Sequence, residues 1–224
     1  MTLERFVAVD RYLTDLLVPS DPVLEAALEA NAAAGLPQHD VSPNQGKLLH
    51  VLARAQGARR ILEIGTLGGY STIWLARALP PDGRLITLEA DPRHAEVARA
   101  NLERAGLDRL VELRVGRAVE TLPRIAAENP PPFDLVFIDA DKASNAQYLA
   151  WALELSHRGS VIIVDNVVRD GAVIDETSRD PTVQGSRRVL ELLAAEPRVS
   201  ATAIQTVGSK GWDGFAIAVV IADR

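Results

Sequence analysis

The sequence contains no cysteine among its 224 residues. Disulfide bonds, thiolate nucleophiles and cysteine-ligated metals are therefore excluded. It also lacks an excess of positive charge, since 24 Lys and Arg stand against 30 Asp and Glu, for a formal net charge of −6. Because nucleic-acid-binding domains usually present a basic surface, this balance argues against a large nucleic-acid interface.

No apolar run reaches the length of a membrane-spanning helix, and the N-terminus shows no cleavable signal pattern. Internal repeats, low-complexity tracts and linkers are also absent from the sequence. We therefore expect a cytoplasmic enzyme or binding protein with neither a membrane nor a nucleic-acid partner. The length predicts a single domain over residues 1–224, in which residues 1–40 form an N-terminal helical extension.

Strand-like and helix-like patterns alternate along most of the chain. The predicted strands are 60–64, 84–88, 110–115, 133–138, 160–164, 199–207 and 215–221. The predicted helices are 3–17, 22–30, 43–55, 72–79, 93–105, 118–128, 145–155 and 182–195. This alternation predicts an α/β fold with a doubly wound, mostly parallel, Rossmann-like sheet. The last two strands are joined by the glycine-rich connection 208–214, which predicts antiparallel pairing at the C-terminus.

A glycine-rich turn follows the first predicted strand and contains Gly65, Gly68 and Gly69. A strand, a turn and a helix in this order bring backbone N–H groups and a helix N-terminus to one point, and glycines let a ligand approach the backbone. The spacing differs from the Gly-x-Gly-x-x-Gly of dinucleotide-binding proteins. Glu63, just before the turn, favours a ligand with hydroxyls or positive charge. We predict a nucleotide-like cofactor site; a tight turn without a ligand is the alternative.

Glu89 ends the second predicted strand. A carboxylate at this point can accept hydrogen bonds from both ribose hydroxyls, and it would repel a 2′-phosphate. The alternative is an exposed glutamate in front of a helix that Asp91 and Pro92 begin.

Asp139, Asp165 and Asn166 follow the fourth and fifth predicted strands. Ligands of open parallel sheets bind beyond the carboxyl ends of the strands, so these side chains are expected to meet there. Two carboxylates and one amide are hard oxygen ligands that suit Mg²⁺, Ca²⁺ or Mn²⁺. The alternative is that they are ordinary acidic residues at strand ends.

Lys142 lies three residues beyond Asp139. Beside a divalent cation and away from water, it could lose its proton and serve as a general base. On the sequence alone, a surface lysine paired with Asp141 is the simpler interpretation. No Ser–His–Asp arrangement is evident, and we interpret all four histidines as structural: His39, His50, His94 and His157.

Three motifs together resemble one family, the cation-dependent class I O-methyltransferases that use S-adenosylmethionine, which include caffeoyl-CoA and catechol O-methyltransferases. They are residues 62–71 (Leu-Glu-Ile-Gly-Thr-Leu-Gly-Gly-Tyr-Ser), 137–142 (Phe-Ile-Asp-Ala-Asp-Lys) and 164–167 (Val-Asp-Asn-Val). Each motif is weak alone, but the three occur in the family's order and at its spacing. The resemblance extends from about residue 13 to the C-terminus and implies a seven-stranded methyltransferase sheet.

The resemblance also implies roles for individual residues. The S-adenosylmethionine pocket would be formed by Val41, Glu63, Gly65, Thr66, Gly69, Ser71, Glu89, Ala118, Asp139 and Asp141, with Glu89 at the ribose and Ala118 at the adenine. Asp139, Asp165 and Asn166 would bind Mg²⁺, or else Ca²⁺ or Mn²⁺. Lys142 and Asp139 would be catalytic, with Lys142 as the general base. A homodimer is implied as well.

The implied activity is methylation of one hydroxyl of a small phenolic substrate with two adjacent hydroxyls. Arg169 departs from the family pattern, because many relatives have a tryptophan there beside the acceptor, and it suggests a polar or anionic substrate. Arg117 departs as well, near the adenine. A non-catalytic S-adenosylmethionine-binding protein is one alternative. An NAD-dependent oxidoreductase is another, opposed by the missing third glycine and the absence of a Tyr-x-x-x-Lys pair.

Overall fold

The computed structural model of the chain describes residues 3–223; residues 1, 2 and 224, which the predicted domain includes, lie outside the described part. Within it the helices are α1 (Leu3–Leu17), α2 (Pro22–Ala33), α3 (Pro43–Gln56), α4 (Tyr70–Ala76), α5 (Pro92–Arg104), α6 (Ala118–Ala127), α7 (Asn145–Glu154) and α8 (Pro181–Ala195). The strands are β1 (Arg60–Ile64), β2 (Arg84–Glu89), β3 (Val111–Val115), β4 (Phe133–Ile138), β5 (Ser156–Asp165), β6 (Val199–Gly208) and β7 (Gly211–Val220).

The strands form one seven-stranded sheet in the order β3-β2-β1-β4-β5-β7-β6. The first five strands pair in parallel, whereas β7 is antiparallel to both β5 and β6. This arrangement confirms the predicted fold class. None of the helices in residues 3–223 is long and apolar enough to cross a membrane.

Two apolar layers cover the two faces of the sheet. On one face Leu62 and Ile64 of β1 pack with residues of α6, α7 and α8. On the other face Ile61 of β1 packs with residues of α2, α3, α4 and α5. Successive strand residues thus enter opposite layers, as the period of two in a strand requires. The central strands have nearly continuous apolar sequences because both of their faces are buried.

Side-chain caps begin four helices where the sequence places a polar residue before proline. Asp21 accepts two backbone N–H groups in the first turn of α2, and Ser42, Asp91 and Asp180 likewise cap α3, α5 and α8. Each cap satisfies an N–H group that the first helical turn leaves free, and proline fits that turn because it has no N–H to satisfy.

The predicted first residues of β5 and β7 are wrong, because both strands extend through glycines and polar residues that are typical of loops. β5 begins at Ser156 rather than residue 160, and it passes through Gly159, where φ is +99°. The predicted connection 208–214 is in fact a two-residue turn, since Gly208 pairs with Gly211. Gly214 lies inside β7, where an added Cβ would be 2.3 Å from the carbonyl oxygen of Ile204. A glycine in a strand can mark such a close backbone approach.

α4 also differs from its predicted range of 72–79. It begins at Tyr70, directly after Gly69, and ends at Ala76, so residues 77–79 form turns instead. The helix N-terminus therefore lies closer to the glycine turn than predicted.

Gly65 lets the turn after β1 approach the end of β4. Its φ is +104°, and an added Cβ would lie 2.1 Å from the carbonyl oxygen of Asp139. A side chain here would be strained in φ and would also push the two strand ends apart.

We predict that Gly65→Ala destabilises the fold by about 3 kcal/mol, because backbone strain and a steric clash add together. The matched control is Gly106→Ala, where φ is +67° but an added Cβ meets nothing within 4 Å. Strain alone should cost about 1 kcal/mol there. Urea unfolding monitored by tryptophan fluorescence measures both variants; equal losses would contradict the close-approach argument.

Glu63 is a carboxylate in the buried layer beneath the turn. It is fully buried, and it accepts hydrogen bonds from the hydroxyls of Ser71, Thr72 and Thr87 at 2.5–2.7 Å. Burial raises the pKa of Glu63 to about 7, although the three hydroxyls act in the opposite direction. The folded protein therefore binds a proton at Glu63 more tightly than the unfolded chain does.

We predict that Glu63 makes the wild type lose stability as pH rises. Its contribution is present below about pH 4.5 and is lost as pH rises through about 7. Glu63→Gln removes this titration, so the variant should gain on the order of 3 kcal/mol relative to wild type between pH 4.5 and pH 8. Urea unfolding over that range measures the difference. A difference that does not change with pH would refute a raised Glu63 pKa.

Candidate active site

A cleft of about 620 Å³ opens beyond the carboxyl ends of the parallel strands. It brings together eleven of the thirteen predicted site residues: Val41, Gly65, Thr66, Ser71, Glu89, Ala118, Asp139, Asp141, Lys142, Asp165 and Asn166. This is where ligands bind in open α/β sheets. Residues more than 120 positions apart in the sequence thus share one cavity.

Glu63 and Gly69 do not line the cleft. The Glu63 side chain lies behind its wall and holds the Ser71 hydroxyl at 2.7 Å. Gly69, with φ of +87°, precedes the first residue of α4. Both residues shape the turn from behind rather than presenting atoms to the cavity.

Glu89 is fixed by the backbone on either side of it. Its Oε2 accepts the N–H of Leu67 at 2.8 Å, and its Oε1 accepts the N–H of Asp91 at 2.9 Å. Each carboxylate oxygen has a second lone pair, so the group can still accept hydrogen bonds from a ligand. The His94 ring also lines the cleft, with its Nδ1 3.6 Å from Glu89 Oε1.

Ala118 and Arg117 form the wall next to Glu89, where β3 passes into α6. Asp141 also lines the cleft, and its carboxylate accepts the N–H of Ser144 at 3.1 Å and the hydroxyl of Tyr148. Burial, together with this bond to a carboxylate, raises the pKa of Tyr148, so its hydroxyl stays protonated. Asp141 is therefore largely engaged in local structure.

The acidic end of the cleft contains Asp139 and Asp165. Asp165 is only 4% exposed, and it accepts the side-chain N–H of Gln45 at 2.6 Å and the backbone N–H of Asn166 at 2.8 Å. Burial raises the pKa of Asp165, and the negative charge of Asp139 raises it further. The hydrogen bonds to Asp165 therefore offset only part of the cost of burying its negative charge beside that of Asp139.

Lys142 supplies one positive charge at this end. Its Nζ lies 2.7 Å from Asp139 Oδ1, and the residue is only 8% exposed. The interpretation of Lys142 as a surface lysine paired with Asp141 is wrong, because the three-residue 3₁₀ turn 142–144 directs the side chain back toward Asp139. α8 packs closely over this turn, since a Cβ on Gly185 would lie 1.9 Å from the carbonyl oxygen of Lys142.

Asp139, Asp165 and Asn166 have the chemistry of a site for a hard divalent cation. Within residues 3–223 no three His, Cys, Asp or Glu side chains gather as metal ligands, so the candidate set is two carboxylates and one amide. The formal net charge of the cluster is −1, because two carboxylates stand against the one ammonium of Lys142, and Asp165 is buried. A cation would relieve the repulsion that raises the Asp165 pKa. The residues therefore fit such an ion.

Several residues of the cleft carry no signal in the sequence. Gln45 reaches Asp165 across 120 positions, although its place in the first turn of α3 gives only a helix-start pattern. The prediction that all four histidines are structural holds for two of them. His50 and His157 bond Trp74 and Asp134, whereas His39 and His94 line the cleft. The other cleft residues that the site prediction did not include are Pro37, Gln38, Asp40, Leu67, Leu88, Ala90, Gly116, Arg117, Ala140, Tyr148, Arg169, Thr182 and Lys210.

Comparison with known proteins agrees with this geometry. The sequence matches a family model described as O-methyltransferase over residues 17–217. It is 53% identical over 220 residues to a catechol O-methyltransferase of Niastella koreensis, covering 98% of this chain and 100% of the relative. It is 57% identical over 212 residues to a catechol O-methyltransferase of Mycobacterium tuberculosis, covering 95% and 94%.

A solved structure gives the same result. The O-methyltransferase from Bacillus cereus in complex with SAH superposes with a TM-score of 0.96 at 62% identity, covering 98% of this chain and 100% of that one. The family model spans most of the chain, and each relative is more than half identical over nearly its full length. This chain therefore belongs to the O-methyltransferase family.

Proposed function

We propose that this protein transfers a methyl group from S-adenosylmethionine to one hydroxyl of a small aromatic substrate with two adjacent hydroxyls, and that it requires a divalent cation. The observation that carries the proposal is the position of Asp139, Asp165 and Lys142 at one end of a cleft whose other end contains Glu89. Because the chain belongs to the O-methyltransferase family, we no longer consider the alternative that it is an NAD-dependent oxidoreductase.

The cofactor would lie between the glycine turn and Glu89. Gly65 and Thr66 present backbone to the cleft, and the free lone pairs of Glu89 suit the ribose hydroxyls. Val41, from the segment before α3, would cover the cofactor, while Ala118 leaves room for the adenine. The bound SAH in the Bacillus cereus relative supports this assignment.

Asp139, Asp165 and Asn166 would hold the cation. When bound, the cation supplies a Lewis acid for a phenolate oxygen, and S-adenosylmethionine supplies an electrophilic methyl group. Lys142, in its neutral form, would take the proton from the acceptor hydroxyl onto Nζ, which lies 2.7 Å from Asp139 Oδ1. Gln45 orients Asp165. Holding both reactants in one partly closed cleft supplies much of the acceleration.

We predict that methyl transfer to catechol is lost after chelation with EDTA and restored by Mg²⁺. Asp165→Asn should lower kcat/KM on the order of 10³-fold, because it removes one charged ligand while keeping the shape of the side chain. Its affinity for S-adenosylhomocysteine, measured by calorimetry, should change less than about threefold, since no cofactor contact is removed.

Full activity in the chelated enzyme would contradict cation dependence. Loss of S-adenosylhomocysteine binding together with turnover in Asp165→Asn would instead assign Asp165 a structural role.

We also propose that the protein is a homodimer, formed through α1 and the edge strand β6. α1 has an apolar stripe at helical spacing, formed by Val9, Tyr12, Leu13, Leu16 and Leu17, each at least 41% exposed. Ile204 and Val207 of β6 are about half exposed next to it, and Asp10 of α1 binds the N–H of Ser209 at 2.9 Å. An unpaired edge strand beside an apolar helix is a surface that a second copy can cover.

We predict that the wild type sediments at twice the mass of the 24.2 kDa chain. Leu16→Glu should shift it toward the monomer, because it places a charge in the apolar stripe. The control is Ile174→Glu, since Ile174 is 83% exposed outside this surface. Sedimentation velocity measures all three proteins. A monomeric wild type, or a dimer unaffected by Leu16→Glu, would contradict the proposed interface.

A further inference from the structure

The part of the cleft next to the acidic cluster is bordered by positive side chains. Arg169 lies three residues after Asn166, in the segment that follows β5, and Lys210 lies in the turn between β6 and β7. Both line the same cavity as Asp139 and Asp165. The cavity that an acceptor would enter is therefore lined by negative and by positive side chains.

The backbone of Arg169 is held in an unusual conformation. Its φ is +56°, in the left-handed region that arginine rarely adopts, and the next residue, Asp170, has φ of +53°. The Asp213 carboxylate accepts the N–H groups of Val168 and Arg169, each at 3.0 Å. Asp170 N–H adds a bond to the carbonyl oxygen of Trp212 at 3.1 Å. The strand pair β6–β7 thus fixes the direction in which Arg169 leaves the main chain.

The guanidinium of Arg169 is left nearly without partners. Its Nη2 donates one long hydrogen bond of 3.3 Å to the Thr182 hydroxyl, and its Nε is buried without an acceptor among the described residues. No carboxylate of residues 3–223 lies within ion-pair distance of it. Asp180 caps α8, accepting the N–H and hydroxyl of Thr182 at 2.7 and 2.8 Å. These bonds lower the pKa of Asp180, and the charge of Arg169, which acts on it only through space, contributes to the lowering.

An unpaired guanidinium in a cleft is unusual, since arginine carries five N–H donors and a permanent charge. Among the described residues, two other half-buried arginines have carboxylate partners: Arg198 bonds both oxygens of Glu196, and Arg77 bonds Asp21. Lys210 adds a second positive charge to the cleft. Its Nζ donates to the carbonyl oxygen of Gln38 at 3.3 Å, and its charge also acts on the Asp40 carboxylate, which lines the same cleft. The unused donors indicate a missing anionic partner that a substrate would supply.

We propose that the acceptor is an aromatic acid with two adjacent hydroxyls, and that Arg169 binds its carboxylate while Lys210 contributes positive charge. This inference rests on the proposed function, because the hydroxyls would be directed to the acidic cluster. A carboxylate on the acceptor would be repelled by Asp139 and Asp165 if it lay at their end. Arg169 therefore both attracts the substrate and fixes its orientation in the cleft.

The test compares 3,4-dihydroxybenzoate with 3,4-dihydroxybenzamide, which has nearly the same shape without the charge. The ratio of their kcat/KM values with Mg²⁺ should fall about 10- to 100-fold in Arg169→Met, the range for removing hydrogen bonds to a charged group. Arg169→Lys, which keeps the charge, should restore part of the ratio. The matched control is Arg188→Met on α8, whose side chain is 58% exposed. It should leave the ratio within about twofold of wild type.

A binding measurement separates this inference from the proposed function. Calorimetry with S-adenosylhomocysteine and Mg²⁺ present should show that wild type binds the acid more tightly than the amide, and that Arg169→Met loses this preference. If wild type methylates neither compound, the proposed function fails, while the ratio of dissociation constants still decides the role of Arg169. An acid-to-amide ratio that Arg169→Met leaves unchanged, or that Arg188→Met lowers equally, would overturn the inference.

Discussion

The structure depends on the register of three parallel strands. Ile64 of β1 pairs with Ile138 of β4, and Ile138 pairs with Val164 of β5, so the three strands end at the same level. The next residues are Gly65, Asp139 and Asp165, which therefore emerge together at one edge of the sheet. Hydrogen bonds continue past the strand ends, since Asp139 N–H donates to the carbonyl oxygen of Ile64 at 2.8 Å. A shift of one residue in either pairing would turn these side chains to the other face of the sheet.

This register places carboxylate side chains in buried positions at the strand ends. Glu63 and Asp165 are both buried, and burial raises the pKa of each. The surroundings of the two groups differ. Three hydroxyls donate hydrogen bonds to Glu63, and the charge of Asp139 acts on its pKa less than these bonds do, whereas for the pKa of Asp165 that charge is second only to burial. Glu63 is therefore a satisfied structural group, while the Asp139–Asp165 pair lacks positive charge that a bound cation would supply. A buried pair of carboxylates lowers the stability of the fold, and natural proteins typically carry such unfavourable arrangements at functional sites.

The fold was largely predictable, and the site was predictable in its strand-end residues. Apolar patterning predicted the type of each α-helix and strand of the described residues, although not the two 3₁₀ turns at 142–144 and 172–174. The rule that ligands bind beyond parallel strand ends placed Glu89, Asp139 and Asp165 together. The wrong strand boundaries had local causes. β5 and β7 continue through Gly159 and Gly214, and glycine is a residue typical of loops. Gln45 could not have been foreseen, because its contact depends on packing between segments 120 positions apart. Glu63 belonged to the correct motif, yet it acts from behind the cleft wall.

The central claim is that Asp139, Asp165 and Asn166 hold a divalent cation within this cleft. The most direct measurement is a crystal structure of the protein grown with Mn²⁺ and S-adenosylhomocysteine, with data collected to record the anomalous scattering of manganese. One strong anomalous peak is expected among the oxygens of these three side chains, next to Lys142. Density for S-adenosylhomocysteine in the cleft without a manganese peak at that position would contradict it.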